Sequence, residues 1–366
     1  MIPFNDLQRF NNSILKEIKK ELGVLVKKNS FILSKEVEMF EDEYKCFTNS
    51  KYAIGVANGT DALELILRGL GIGTGDEVIL QANTFFATAI AISRVGAKPV
   101  FIDHDEYYLL DIDSIESALS NKTKAIISVN LYGQLNDNLL LSKIAKKHNL
   151  FLIEDSAQSH GAKNDNVQSG NYSAASAYSF YPGKNLGAWG DAGAVTTNNK
   201  NLYNKILELR NYGSRYKYVH NSKGFNSRLD SIQALILRKK LSRLNEANEI
   251  RNQIAVNYKK SINPAYKLPT TRPGNYHVWH LFVAQVNNRN AFFKEAEGEV
   301  EFGIHYPIPI NFQKAYRDHE QYKFKFPNTY KNRNKIFSVP LFPELKKYEV
   351  NKVIYFLNKY AEKQKW

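Results

Sequence analysis

Residues 125–154 read AIISVNLYGQLNDNLLLSKIAKKHNLFLIE, and this stretch decides the fold. An apolar run, Ala125 to Leu131, is followed by an amphipathic segment, Leu139 to His148, and then by a second apolar run, Phe151 to Glu154. Uninterrupted apolar strands suit a sheet covered on both faces, and a helix crossing between two of them makes them parallel. The rhythm repeats upstream. Asp61 to Leu70 reads as a helix, Glu77 to Leu80 as a strand, Ala87 to Val95 as a helix, Lys98 to Asp103 as a strand and Ile112 to Leu119 as a helix. Downstream, Ala177 to Phe180 and Ala192 to Thr197 add two strands. Leu7, Phe10, Ile14, Ile18 and Leu22 recur at helical spacing and predict an amphipathic opening helix. One long helical pattern runs from Ser231 to about Tyr258, and after Pro264 prolines punctuate short elements. The expected class is α/β. A mostly parallel central sheet with helices on both faces occupies residues 1–245, and a smaller α+β domain occupies 246–366. Ligands of such sheets sit beyond the carboxyl ends of the strands.

Composition narrows the function. The chain has 366 residues, is 43% hydrophobic and contains one cysteine, Cys46. An intramolecular disulfide and a cysteine-based metal cluster are thereby excluded, and no metal is expected. The opening residues lack a long apolar core after a basic start, and no stretch is apolar enough to cross a bilayer. With a single thiol, this makes the cytoplasm the expected location and a membrane no partner. The net charge of +14 admits nucleic acid, phosphorylated small molecules or a merely solvated basic surface. Basic pairs such as Lys19-Lys20 and Lys146-Lys147 are scattered, with no basic tail, so no nucleic-acid arm is expected.

Three polar segments fall where strands end. Asn58-Gly59-Thr60-Asp61 opens a helix, whose first N–H groups and a hydroxyl suit a phosphate; a plain helix cap is the simpler reading. In Glu154-Asp155-Ser156-Ala157-Gln158, a carboxylate at a strand tip suits a protonated ring nitrogen, and a cap or salt bridge is the alternative. Lys184 lies in a glycine-rich loop between two strands. It is a nucleophile if desolvated and an ordinary solvated lysine otherwise. Together they make the layout that a pyridoxal 5'-phosphate site needs.

The segments NGTDAL (58–63), EDSAQSHGA (154–162), SFYPGKNLGAWGDAGA (179–194), GFNSRLDSIQA (224–234) and HYPIP (305–309) resemble, in order, motifs of the DegT/DnrJ/EryC1/StrS sugar aminotransferases. These are fold-type I pyridoxal phosphate enzymes, and the likeness spans essentially the whole chain. It implies that Lys184 holds the cofactor covalently and then carries the proton, and that Asp155 partners the ring nitrogen. It likewise implies that Phe85 stacks on the ring, that Gly59, Thr60 and Ser179 hold the phosphate, and that Gln158 lies by the ring hydroxyl. Asn226 matches a phosphate contact from a neighbouring subunit, which implies a homodimer with shared active sites. His160 matches a residue beside the cofactor, with a part in handling substrate or protons in enzymes acting at sugar C3. Relatives that dehydrate carry histidine where Lys184 stands, so the lysine implies amino transfer.

The implied reaction moves an amino group from L-glutamate to a nucleotide-linked keto-sugar, with ping-pong kinetics. The string YPGKNLGAWGD is most similar to enzymes that aminate C3 of a dTDP-3-oxo-6-deoxyhexose. A 4-aminotransferase of UDP- or dTDP-4-oxo sugars and a catalytically silent regulator are the alternatives. Arg215, Tyr218 and Arg228 are candidates for the substrate's diphosphate and base. Tyr181, His305 and Tyr306 are candidates for the sugar side of the pocket. Packing for Tyr181 and a structural ion pair for Arg228 are the plainer readings. The run Glu299–Gly303 departs from the family pattern, which has glycine near Glu299 and threonine near Phe302.

Overall fold

The computed structural model describes residues 1–316 and 326–363. Its centre is a seven-stranded sheet of β1 (Tyr52–Val56), β2 (Glu77–Gln81), β3 (Lys98–Ile102), β4 (Thr123–Val129), β5 (Phe151–Asp155), β8 (Ala175–Ser179) and β9 (Gly193–Thr197). A short hairpin, β6 (Lys163–Asn164) and β7 (Val167–Gln168), lies between β5 and β8 in sequence. The spatial order is β1-β9-β8-β5-β4-β2-β3, and only β9 runs against its neighbours. The expected mostly parallel sheet is therefore present, and β4 and β5 stand side by side as the opening sequence stretch requires.

Side chains alternate across each strand, so one apolar run feeds two cores. On one face Val78, Leu80 and Ile127 pack with Leu63 of α3 (Gly59–Gly69) and Ala89 of α4 (Phe86–Arg94). On the other, Ile79, Ile126 and Leu152 pack with Leu141 and Ala145 of α6 (Asn138–Lys147). Each fully buried Ile, Leu or Val side chain contributes about 1.5–3 kcal/mol, which is why both faces must be covered. Near β1 and β9 the cover is α2 (Lys35–Thr48), whose Phe40 and Tyr44 pack against Tyr178 and Phe180.

Two predicted helices differ in detail. Residues 112–119 form a three-residue 3-10 turn and the four-residue α5 (Ile115–Ala118). The single helix expected from Ser231 to Tyr258 is two, α8 (Ser231–Leu241) and α9 (Leu244–Ser261). The two halves answer to different cores. Leu235 and Ile236 pack on Ile14 and Ile18 of α1 (Leu7–Lys27), whereas Ile254 and Tyr258 join a second core. A straight helix cannot face both, so the chain bends at Ser242–Arg243.

That second core gathers Phe282 of β13 (Phe282–Gln285), Phe337 of β14 (Ile336–Val339), Phe292 of α10 (Arg289–Ala296) and Val353 of α12 (Lys347–Lys363). Ile2 joins it from the other end of the chain. Smaller pieces complete the described structure. They are α7 (Lys200–Leu209), the hairpin β10 (Ser214–Tyr216) and β11 (Val219–His220), β12 (Asn275–Tyr276) beside β6, and α11 (Pro327–Asn332). Among the described residues no helix is long and apolar enough to cross a membrane.

Candidate active site

The carboxyl ends of the strands open onto a cavity of about 690 Å³. Gly59, Thr60, Phe85, Asp155, Gln158, Ser179, Tyr181, Lys184, His305 and Tyr306, which the sequence nominated separately, all line it.

Strand pleat separates the two acids of Glu154-Asp155. Glu154 points away from the cavity and takes four donors: Asn130 Nδ2 at 2.9 Å, Asn138 Nδ2 at 2.7 Å, Gly170 N at 2.7 Å and Ser173 Oγ at 2.9 Å. Its hydrogen-bonding capacity is spent on structure. Asp155 faces the cavity with one donor on each oxygen, Thr88 Oγ1 at 2.8 Å and Ala157 N at 3.2 Å. Burial raises its pKa, and Thr88, Ala157 and the charge of Lys184 only partly oppose this. A carboxylate in that condition accepts a cationic partner readily. Thr88 escaped the sequence reading, although it lies in the first turn of α4, three residues after Phe85.

Lys184 follows a tight turn, with its N–H bonded to the Tyr181 carbonyl at 2.8 Å. Desolvation lowers its amine from 10.5 to about 8, against the pull of Asp155. A larger fraction of nucleophilic amine at neutral pH follows.

The start of α3, which could hold an anion, is built by close packing. The Asn58 side chain caps α3 by accepting from Asp61 N at 2.8 Å, and the first turn leaves the N–H groups of Gly59 and Thr60 without helical acceptors. A Cβ on Gly59 would lie 2.6 Å from Ser179 Cβ, and one on Gly193 would lie 2.4 Å from the Asn58 carbonyl. Only glycines let the helix start meet the tips of β8 and β9. Phe85, at the head of α4, lines the cavity and is 53% exposed, with the Tyr306 ring 5.3 Å away. Gln158 accepts from Tyr132 N at 2.8 Å and donates to the Tyr306 hydroxyl at 2.9 Å. These residues fit pyridoxal phosphate: an anion cradle, an apolar ring face, a buried carboxylate and a desolvated amine on one wall.

Other nominated residues lie elsewhere. His160 is fully buried and does not reach the cavity. Its Nε2 donates to the Ser179 carbonyl at 2.9 Å, so its Nδ1 accepts from the Tyr44 hydroxyl at 3.1 Å. Burial lowers its pKa to about 3. Both ring nitrogens are committed, so the proton-handling part expected of His160 has no free atom to act through. Asn226, Arg215 and Tyr218 also miss the cavity of their own chain, and Tyr218 is 84% exposed at the hairpin tip. Arg228 donates to Asn211 Oδ1 at 3.1 Å and lies over the Tyr212 ring, and its Nε is buried without a partner.

The sequence pattern of the DegT/DnrJ/EryC1/StrS aminotransferase family matches residues 12–358. The chain belongs to this family. Its members are pyridoxal phosphate enzymes, and this chain is accordingly a pyridoxal phosphate-dependent aminotransferase with the fold expected of one. The dTDP-3-amino-3,6-dideoxy-alpha-D-galactopyranose transaminase of Aneurinibacillus thermoaerophilus is 45% identical over 99% of this chain and 100% of its own. The crystal structure of S. venezuelae DesV superposes with a TM-score of 0.96 at 37% identity, covering 99% of this chain and 98% of that one. NtdA from Bacillus subtilis, solved with bound cofactor PMP, has a TM-score of 0.93 at 30% identity, covering 99% of this chain and 85% of that one.

Proposed function

We propose that this aminotransferase moves the amino group of L-glutamate to C3 of a dTDP-3-oxo-6-deoxyhexose, giving a dTDP-3-amino-3,6-dideoxyhexose. The observation that carries it is the pairing of a desolvated Lys184 and a half-satisfied Asp155 on the wall of one cavity. The choice of C3 is supported by the likeness to the Aneurinibacillus enzyme, whose name gives a 3-amino sugar.

When bound, pyridoxal phosphate supplies an electrophilic carbonyl carbon and an electron sink. Lys184 Nζ acts as the nucleophile that holds it and as the base that moves the donor's α-proton. Asp155, aimed by Thr88 and Ala157, keeps a proton on the ring nitrogen. Gly59, Thr60 and Ser179 bind the phosphate, Phe85 covers a ring face, and Gln158 meets the ring hydroxyl. His160 is a positioning residue that pins the Ser179 carbonyl at the tip of β8. Tyr181, His305 and Tyr306 orient the sugar. Asn226, Arg215, Tyr218 and Arg228, which lie off their own chain's cavity, serve the site of a second copy, so the working unit is a homodimer. The apolar core shared by α9, α10, α12, β13 and β14 supports a smaller domain over 246–366 beside a cofactor-binding domain over 1–245, with Ile2 crossing between them. The setting is the cytoplasm, where activated sugars and a free thiol are at home.

The test incubates the enzyme with glutamate and a panel of dTDP-3-oxo, dTDP-4-oxo and UDP-4-oxo sugars, reading amino-sugar by mass. Conversion of 3-oxo compounds is expected. Conversion of a 4-oxo compound alone overturns the regiochemistry. A pale protein that ignores added cofactor and converts nothing is the silent-regulator outcome.

A further inference from the structure

Arg251 is a buried cation with no hydrogen-bonded carboxylate among the described residues; Glu344 acts on it only through space. It lies in α9 and is 6% exposed. Its Nη1 donates to the carbonyls of Leu341 at 2.7 Å and Trp279 at 3.3 Å, and its Nε and Nη2 have no partner among the described residues. Those two atoms are nevertheless not sealed in. Arg251 lines both the large cavity and a neighbouring one of about 50 Å³, and Lys184 lines both as well. Burial brings Arg251 down only to about 10, so it stays charged at neutral pH.

His280 lines the same cavity, and its tautomer follows from its neighbours. Asn185 Nδ2 donates to Asn248 Oδ1 at 2.9 Å and to the Val278 carbonyl at 2.9 Å. Asn185 Oδ1 therefore faces His280 Nδ1 at 3.1 Å, and that nitrogen carries the proton. Nε2 is left bare, with no partner among the described residues. Burial and the charges of Lys184 and Arg251 keep the ring neutral.

Two side chains thus line one cavity with polar atoms that no described residue uses, the Nε and Nη2 donors of a cation and a lone pair on a neutral ring. The cofactor phosphate already has its cradle at α3. The sugar's diphosphate is separated from the reacting carbon by part of the sugar ring, whereas an amino acid's α-carboxylate is one bond from the carbon that Lys184 must deprotonate. We propose that Arg251 binds the α-carboxylate of the amino-acid donor, with His280 Nε2 accepting a hydrogen bond from the donor's amino group. This rests on the amino transfer from glutamate proposed above.

The experiment compares wild type, Arg251→Gln, Arg251→Lys and His280→Leu as loaded dimers, with circular dichroism confirming the fold. The two half-reactions are followed separately, and 2-oxoglutarate binding to the aminated form is measured by calorimetry. Arg251→Gln is expected to raise the KM for glutamate and the Kd for 2-oxoglutarate at least about tenfold, leaving the keto-sugar KM within about twofold. Arg251→Lys should fall between, and His280→Leu should raise the glutamate KM alone. Unchanged 2-oxoglutarate binding overturns the inference, and so does a parallel loss for both substrates, which marks a structural arginine. If Arg251→Gln fails to fold, Arg251→Lys and His280→Leu decide by the same split. A wild type that binds cofactor yet never consumes glutamate brings down the donor assignment itself. A working wild type matched by its variants brings down only the subsite.

Discussion

Lys184 shows how a side chain acquires reactivity from where it sits. Only the neutral amine attacks a carbonyl, and burial has moved its titration from 10.5 to about 8. The cofactor-free enzyme should therefore capture added pyridoxal phosphate at a rate that rises with pH and levels above about 8, read by stopped-flow absorbance. A rate still climbing about tenfold per unit well above that pH contradicts the lowered value. Lys184→Ala should lower kcat by at least ~10²–10⁴-fold while the melting temperature stays within a few degrees. His160 makes the opposite case. Its folded pKa of about 3 is below the unfolded 6.5, so the unfolded chain binds the extra proton. Its contribution is complete above 6.5 and is lost as pH falls towards 3. The stability margin of wild type over His160→Gln, from urea titrations, should shrink by roughly 2 kcal/mol between pH 7 and 5. A constant margin shows that the ring titrates alike in the folded and unfolded chains and overturns the lowered value. The resemblance placed this histidine beside the cofactor. That its two nitrogens were already committed depended on Tyr44, more than a hundred residues upstream.

At the scale of elements, the strand tips were legible and their neighbours were not. Apolar runs of four to seven residues announce a doubly covered sheet, and polar residues at their ends announce a site. What brings the start of α3 onto β8 and β9 is the absence of a Cβ at Gly59 and Gly193. Gly59→Ala should push the helix start away from Ser179 and raise the Kd for pyridoxal phosphate at least about tenfold, or ~1.4 kcal/mol. Fluorescence titration of the cofactor-free protein checks this, and an unaltered Kd shows that the helix start does not hold the phosphate. The break between α8 and α9 was not legible, because Ser242 and Arg243 carry no breaker signal. The bend exists because the two helices bury their apolar faces in different cores.

At the scale of the whole molecule, the proposed function predicts a site shared between two chains. If Asn226 serves a second copy's phosphate, Lys184→Ala and Asn226→Asp subunits should each be nearly inactive alone. Unfolded together and refolded, they should recover about a quarter of wild-type activity, since each mixed dimer keeps one intact site. No recovery, with dimers confirmed by sedimentation, places Asn226 outside a shared site. Periodicity alone sufficed for the parallel sheet, and residue type at the strand ends sufficed for the cofactor. Both follow from contacts between near neighbours in the chain, or from chemistry that only one side chain can supply. Three decisions waited for the tertiary structure: which of Glu154 and Asp155 faces the cavity with donors to spare, that both His160 nitrogens are occupied, and that Arg251 and His280 stand together beside Lys184 with unused polar atoms. Each depends on which groups from distant segments are left unpaired once the core closes, and hydrogen-bond satisfaction is a property of the assembled interior.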